Sequence, residues 1–222
     1  ITFIAFTVPL PYYIEVPGTS EDIRKVLQVN NQPDQEEGSY QFVTVGVKHA
    51  RLVDLVYAWL TPFTDIRSAK EMTGGSSDTE YMRINQFYME TSQNMAKYQG
   101  LKTAGKEIEL KYLGVYVLTV TDNSTFKGIL NIADTVTAVN DKTFESSKEM
   151  VDYVNSQTLG DKVKVTYQED GKVKTAEGKI ITLENGKNGI GIGLIDRTEV
   201  SSDVPIKFST AGIGGPSAGM MF

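Results

Sequence analysis

The chain has 222 residues, a formal net charge of −6 and 40% hydrophobic residues, with one histidine and no cysteine. The apolar content is too high for general disorder, and the acidic balance argues against a nucleic-acid partner, which needs a basic surface. Without cysteine there is no disulfide, thiol nucleophile or cysteine-bound metal, and a single histidine, His49, cannot build a zinc site of several histidines. We therefore expect neither a metal nor a cofactor.

The first 14 residues carry no charged side chain. They fit the outer end of a membrane-spanning helix, ended by Pro9 and Pro11 with Tyr12 and Tyr13 at the interface. They equally fit an N-terminal strand packed on a core. A spanning helix needs about 20 apolar residues, so this stretch is too short to cross a membrane by itself. The residues alone leave both interpretations open.

The next part of the chain has a mixed α/β pattern. Residues 40–47 are β-branched and aromatic, which predicts a strand. Residues 49–60 have apolar side chains at helical spacing, and Pro62 ends that pattern. A polar loop at 73–78 leads into a second predicted helix, which ends by Gly105.

A compact β-rich module follows the second helix. Its pattern predicts strands at 115–120 and around 135–139. Ser146 is predicted to cap a helix, with Glu149 completing a capping box. The dipeptide at 170–171, Asp-Gly between two alternating segments, predicts a β-hairpin.

The order of these parts carries a family resemblance. Tyr112, Leu113, Gly114 and Val115 precede a strand, further strands and one helix, and the module over residues 106–184 resembles a PDZ domain. The resemblance implies that these four residues form the carboxylate-binding loop, although they depart from the Gly-Leu-Gly-Phe consensus. It also implies that the exposed edge of the following strand accepts an extended peptide, with the helix as the opposite wall.

Glycines are dense after residue 185. Gly189, Gly191 and Gly193 are spaced two apart, which fits no dinucleotide-binding fingerprint, and no Walker motif occurs. The sequence therefore contains no ATPase module.

A serine lies among small residues near the end of the chain. Ser217 follows Gly214, Gly215 and Pro216 and is followed by Gly219 two residues later. This pattern fits an exposed nucleophile beside backbone N–H groups that stabilise an oxyanion, and it also fits an ordinary turn. A nucleophile elbow normally needs a later histidine, and none follows.

The stretch from Ile213 to Met220 resembles the nucleophile motif of Lon-type serine peptidases. With a PDZ-like module before it, the chain resembles their PDZ-containing, membrane-anchored branch, which includes pheromone-processing proteases. The resemblance implies a Ser–Lys dyad with Ser217 as nucleophile, Gly214, Gly215 and Gly219 at the oxyanion turn, and a lysine beyond the present chain. It favours the membrane interpretation of the amino end and implies no requirement for ATP.

The expected fold class is α+β, a PDZ-like β-rich module inserted before the start of a Lon-type peptidase domain. The expected domains are 1–14, the end of a transmembrane anchor; 15–105, a mixed α/β segment; 106–184, the PDZ domain; and 185–222, a truncated peptidase domain. The expected function is a serine endopeptidase on the outer side of the cell membrane, held by a single span, inactive in this fragment. Expected partners are a peptide or protein substrate, the membrane and further copies of the chain, with no nucleic acid. A non-catalytic, membrane-tethered PDZ module is the alternative, and an esterase with an elbow serine is a weaker one.

Overall fold

The computed structural model describes residues 2–210 and 212–215. Ser217 and Gly219 lie outside the described residues. The chain divides into two compact units, residues 1–93 with 204–222 and residues 94–203.

The first unit is a mixed α/β structure whose three-stranded antiparallel sheet has the order β3-β1-β4. The predicted strand at 40–47 and the predicted helix at 49–60 are confirmed as β3 and α2. A two-stranded sheet pairs β2 with β12. The elements are α1 (Thr2–Thr7), β1 (Tyr12–Asp22), β2 (Leu27–Val29), β3 (Gln41–His49), α2 (Leu52–Leu60), β4 (Asp65–Ser68), α3 (Ala69–Thr73), α4 (Asp78–Thr103), which continues into the second unit, and β12 (Ile206–Phe208).

The amino end combines a short helix with a strand. Helix α1 ends before Pro9, and β1 begins at Tyr12, with Tyr13 and Ile14 buried. Within residues 2–210 and 212–215, no helix is both long and apolar enough to cross a membrane.

The second unit is built on a five-stranded antiparallel sheet of order β11-β5-β6-β7-β8. Its core is aliphatic and aromatic, with Val115, Phe126 and Val165 fully buried. The elements are β5 (Glu109–Val120), β6 (Thr135–Val139), α5 (Ser147–Asn155), β7 (Lys162–Glu169), β8 (Lys172–Lys179), β9 (Ile181–Thr182), β10 (Asn188–Gly189) and β11 (Ile192–Ser201).

Two local predictions in this unit are confirmed. Asp170 and Gly171 connect β7 to β8 with φ angles of 47° and 77°, the left-handed pair that a tight hairpin turn needs. The Ser146 hydroxyl accepts a hydrogen bond from the Glu149 N–H and caps α5. The predicted capping box differs in its second half, because the Glu149 carboxylate accepts from the Glu145 N–H, one residue before the cap.

The β-rich unit extends beyond residues 106–184. Residues 185–203, expected to begin a peptidase domain, contain β10 and β11. Strand β11 pairs along β5 from Ile192 opposite Val120 to Ser201 opposite Glu109. The last strand of this unit in the sequence is therefore integral to its sheet.

Candidate functional site

The four residues predicted to form a carboxylate-binding loop lie inside strand β5. On one side β5 pairs with β11, where Gly114 is opposite Arg197, and on the other side β6 begins pairing at Val115. The prediction that Tyr112–Val115 form a carboxylate-binding loop is therefore wrong. The edge of the following strand, expected to be open, is covered by β11.

Gly114 has a structural role within the strand that differs from the predicted role in a carboxylate-binding loop. Its φ is +134°, and a Cβ there would lie 2.3 Å from the Val136 carbonyl oxygen. The register shift between Arg197 and Thr198 falls at the same place. This glycine therefore serves a bulge in a closely packed sheet and forms no anion-binding loop.

A groove lies instead between α5 and β11. It encloses a cavity of about 50 Å³ with predominantly apolar walls. One wall comes from the helix and the other from the segment that leads into the strand. The apolar side chains that line it are Met150, Val151, Val154, Leu183, Ile190, Ile192 and Leu194.

At the mouth of this groove, two hydrogen bonds from the Thr121–Ser124 turn fix the backbone of Ile190 and Gly191. The Ser124 hydroxyl donates to the Ile190 carbonyl at 2.6 Å, and the Thr121 N–H donates to the Gly191 carbonyl at 2.9 Å. In a trans peptide unit the N–H points opposite to the C=O, and no described peptide bond is cis. The N–H groups of Gly191 and Ile192 therefore both point away from the Thr121–Ser124 turn. Two consecutive donors of this kind form a local anion-binding arrangement.

Gly191 is needed for that backbone path. Its φ is +74°, and a Cβ there would lie 2.5 Å from Thr121 Oγ1 and 2.8 Å from Ser124 Cβ. Gly193 is packed as closely, with a Cβ position 2.3 Å from Thr119 Oγ1. The glycine spacing that fits no dinucleotide motif thus lets this segment lie directly against β5.

The outer edge of β11 has backbone groups available for pairing. Val117 donates to the Asp134 carbonyl and accepts from the Ala133 N–H, so its backbone groups point away from β11. Leu194, opposite Val117, is consequently in a non-hydrogen-bonded pair, and its N–H and C=O point to the outer edge. The bond from Thr121 to Gly191 gives Ile192 the same orientation. No strand among the described residues pairs with this edge.

The far end of the groove is bridged by an acidic side chain. The Ser147 N–H, at the start of α5, donates to Asp196 Oδ1 of β11 at 3.0 Å. A negative charge is favourable at this helix end. The pKa of nearby Tyr112 is raised to about 12, mainly by burial and to a smaller extent by the negative charges of Asp196 and Glu149. The Tyr112 hydroxyl has no hydrogen-bond partner within the described part of the chain.

We expect Asp196→Ala to destabilise this unit by about 1 kcal/mol, because the substitution removes an acceptor from the first turn of α5. Asp196→Asn keeps an acceptor oxygen and should lose less. Urea unfolding followed by circular dichroism measures both free energies of unfolding. Equal losses for alanine and asparagine would show that the hydrogen bond at this helix end contributes nothing.

The described part of the predicted nucleophile motif lies in the first unit. The Gly215 N–H donates to the Asn85 carbonyl at 2.9 Å, and Gly214 passes so close to Asn85 that a Cβ there would lie 2.9 Å from the Asn85 Cβ. Ser217 and Gly219 cannot be placed, since they are outside the described residues.

A second cavity, of about 370 Å³, borders Gly212–Gly214. On its wall His49 Nε2 lies 2.6 Å from Asp78 Oδ2, and the Tyr13 hydroxyl donates to the other oxygen of Asp78. The pKa of Asp78 is lowered, mainly by the hydrogen bond from Tyr13 and to a smaller extent by the one with His49. The pKa of Tyr13 is raised to about 12, mainly by burial and next by its hydrogen bond to Asp78. The position of His49, far upstream of residues 212–214 in the sequence, did not predict that it borders the same cavity. In the described ranges no cluster of three or more His, Asp or Glu side chains is placed to hold a metal ion.

Comparison with known families bears on the second unit. The family model for the PDZ domain matches residues 86–180. The chain contains a PDZ domain. The match ends before β11, which pairs along β5 in the same sheet and borders the groove on the strand side.

Two of the solved structures that are similar to part of this chain come from Listeria. The PDZ domain of an SdrC-like protein from Listeria monocytogenes is 35% identical, with 39% of this chain and 93% of that chain covered and a TM-score of 0.37. The PDZ domain of an SdrC-like protein from Listeria innocua is 38% identical, with 36% and 92% covered and a TM-score of 0.35. A search of curated proteins finds no match to this chain.

Proposed function

We propose that the PDZ domain binds the carboxyl-terminal end of a peptide or protein in the groove between β11 and α5. The observation that carries this proposal is the pair of N–H groups of Gly191 and Ile192 beside an apolar cavity. Gly189-Ile190-Gly191-Ile192 also has the Gly-apolar-Gly-apolar order of the Gly-Leu-Gly-Phe consensus, which Tyr112–Val115 lacks.

The peptide adds to the outer edge of β11 as an antiparallel strand. Its terminal carboxylate accepts from the N–H groups of Gly191 and Ile192, and its backbone pairs with the C=O of Ile192 and with the N–H and C=O of Leu194. The last side chain enters the cavity between the loop and α5. This cavity is small, about 50 Å³, and open on one side, which favours a small aliphatic last residue such as valine over an aromatic one.

A peptide series tests this mode of binding. A peptide ending in free Val is titrated against the chain beside the same peptide ending in Val-amide and one ending in Phe, with calorimetry as the readout. We expect the amide to bind at least about tenfold more weakly, because charged hydrogen bonds contribute about 1.5–3 kcal/mol each. Equal affinities of acid and amide would contradict carboxylate recognition. Equal affinities of Val and Phe would contradict the size limit.

As a second function we propose a Lon-like serine endopeptidase, in which the PDZ domain recruits the substrate. Its support is the motif from Ile213 to Met220, whose described part borders the cavity of about 370 Å³. Ser217 would attack the scissile carbonyl, and a lysine whose ammonium form is disfavoured by burial would take its proton. Membrane anchoring through residues 1–14, an extracytoplasmic location and assembly of several copies belong to this proposal. A non-catalytic PDZ module is the alternative, and substitution of Ser217 distinguishes the two.

A further inference from the structure

Helix α2 has its polar and apolar sides reversed relative to an ordinary surface helix. Trp59 is 84% exposed, Leu60 67% and Val56 57%, whereas Asp54, the one charged residue of the helix, is 6% exposed. Surface helices of globular domains normally turn their apolar stripe to the core and their charges to water. The exposed side of α2 therefore requires a partner that is itself apolar.

Contacts on the inner side of α2 hold it in this orientation. The Lys48 ammonium donates to Asp54 Oδ1 at 2.9 Å, and the Arg51 N–H donates to Asp54 Oδ2 at 2.8 Å. Burial opposes ionisation of Asp54, but these two hydrogen bonds outweigh it and lower the pKa of the carboxyl. The acidic group is thus fixed and neutralised beneath the helix, away from the apolar surface.

The apolar surface extends beyond the helix. Phe63, three residues after α2, is 87% exposed and has a φ of +60°, a conformation that is uncommon for a bulky residue. Helix α1 contacts α2 and also exposes apolar residues around its end, with Phe6 52% and Val8 47% exposed. We call the surface made of Phe6, Val8, Leu52, Val56, Tyr57, Trp59, Leu60 and Phe63 the α2 face. Scattered exposed apolar residues are ordinary, but a continuous set of this kind marks an interaction site.

The composition and charge of the α2 face match a lipid surface. Its aromatic residues are Trp, Tyr and Phe, whose rings favour the boundary between headgroups and acyl chains. Arg51 is exposed at the start of α2, and Lys48, although paired with Asp54, keeps 60% of its side chain exposed. With its acidic residue buried and paired, the helix presents apolar and aromatic groups with a cationic side chain at its amino end, an arrangement found in interfacial helices that bind anionic lipid.

We propose that the α2 face binds the surface of an anionic lipid bilayer, with Trp59, Leu60 and Phe63 in the interfacial layer. The helix lies in the plane of the surface and does not cross it. This contact is independent of the PDZ groove. It differs from an anchor formed by residues 1–14, because the side chains that enter the interfacial layer belong to α2 and to Phe63 after it.

Trp59 provides a direct test, because it is the one tryptophan of the chain. The whole chain is mixed with vesicles of phosphatidylcholine and phosphatidylglycerol, and its emission spectrum and co-flotation are recorded. We expect a blue shift on binding and weaker binding to vesicles of phosphatidylcholine alone. An unchanged emission spectrum in the presence of anionic vesicles would overturn the proposal, as would equal binding to the neutral vesicles.

Matched variants separate the α2 face from other apolar surface. Leu60→Glu changes a residue that is 67% exposed, and Val173→Glu changes one that is 66% exposed on β8 of the other unit. We expect Leu60→Glu to reduce vesicle partitioning at least about tenfold and Val173→Glu to leave it unchanged. Flotation of Leu60→Glu equal to that of the parent chain would overturn the proposal. So would self-association that buries Trp59 without lipid, detected by sedimentation velocity, because a second copy would then be the occupant.

Discussion

Replacing Gly191 by alanine is expected to weaken binding of a free-carboxylate peptide at least about tenfold. The new Cβ would lie 2.5 Å from Thr121 Oγ1 in a residue whose φ is +74°, so the loop must move and turn the Gly191 and Ile192 N–H groups. Left-handed backbone costs an L-residue about 1–2 kcal/mol, and a tenfold change in affinity corresponds to about 1.4 kcal/mol. Fluorescence polarisation with a labelled peptide ending in Val measures the effect.

Gly186→Ala is the matched control for this prediction. Gly186 has a φ of +78°, close to that of Gly191, but a Cβ there meets no atom within 4 Å. The control therefore introduces similar backbone strain without the collision, and peptide affinity should be retained. Equal losses of affinity in the two variants would contradict the role assigned to the loop.

If Gly191→Ala fails to fold, as judged by circular dichroism, Val151→Glu tests the same groove from the helix side. Val151 lines the cavity and is partly exposed, so a glutamate is tolerated there while its charge repels the incoming carboxylate. Lys148→Glu, an exposed position of the same helix, makes a comparison variant. Peptide binding that survives Val151→Glu would contradict the proposed groove.

Ser217→Ala is expected to abolish proteolysis by a form of the protein that continues past Phe222 to the lysine implied by the family resemblance. Removing a serine nucleophile typically lowers the rate by a factor of about 10⁴ or more. The measurement is the cleavage rate of an unstructured protein substrate, with labelling by a fluorophosphonate as a second readout.

Ser209→Ala serves as the control in that experiment. Its backbone N–H donates to the Val26 carbonyl, and this bond does not depend on the hydroxyl. Activity should therefore be preserved. Cleavage that persists in Ser217→Ala would refute the Ser–Lys assignment, and absence of cleavage in every form would favour the non-catalytic PDZ module.

Local signals in the sequence predicted local structure well. The cap at Ser146 and the Asp170-Gly171 turn are encoded by residues within a few positions of each other, and both are confirmed. The period of residues 49–60 likewise predicted α2. It did not predict that the apolar side faces outward, because that depends on the contact of Asp54 with Lys48 of the preceding strand.

The groove was missed for a related reason. Its strand side depends on the pairing of Ile192 with Val120, a contact between distant parts of the sequence that no short pattern encodes. The alternating glycines at 189–193 carried the signal, although their spacing fits no nucleotide-binding fingerprint. A Gly-apolar-Gly-apolar order directly before a strand indicates a segment that packs tightly against a neighbouring strand and turns its N–H groups outward.

Strand β11 also affects how the PDZ domain comes to be folded. During synthesis β5 leaves the ribosome long before β11 does, and until then one side of a central, apolar strand has no neighbour. A recombinant domain cut at residue 180, where the family match ends, would keep that side uncovered permanently and invite intermolecular strand pairing. A domain that runs through Ser201 closes the sheet with its own chain. The completion of the sheet and the creation of the groove are then the same folding step.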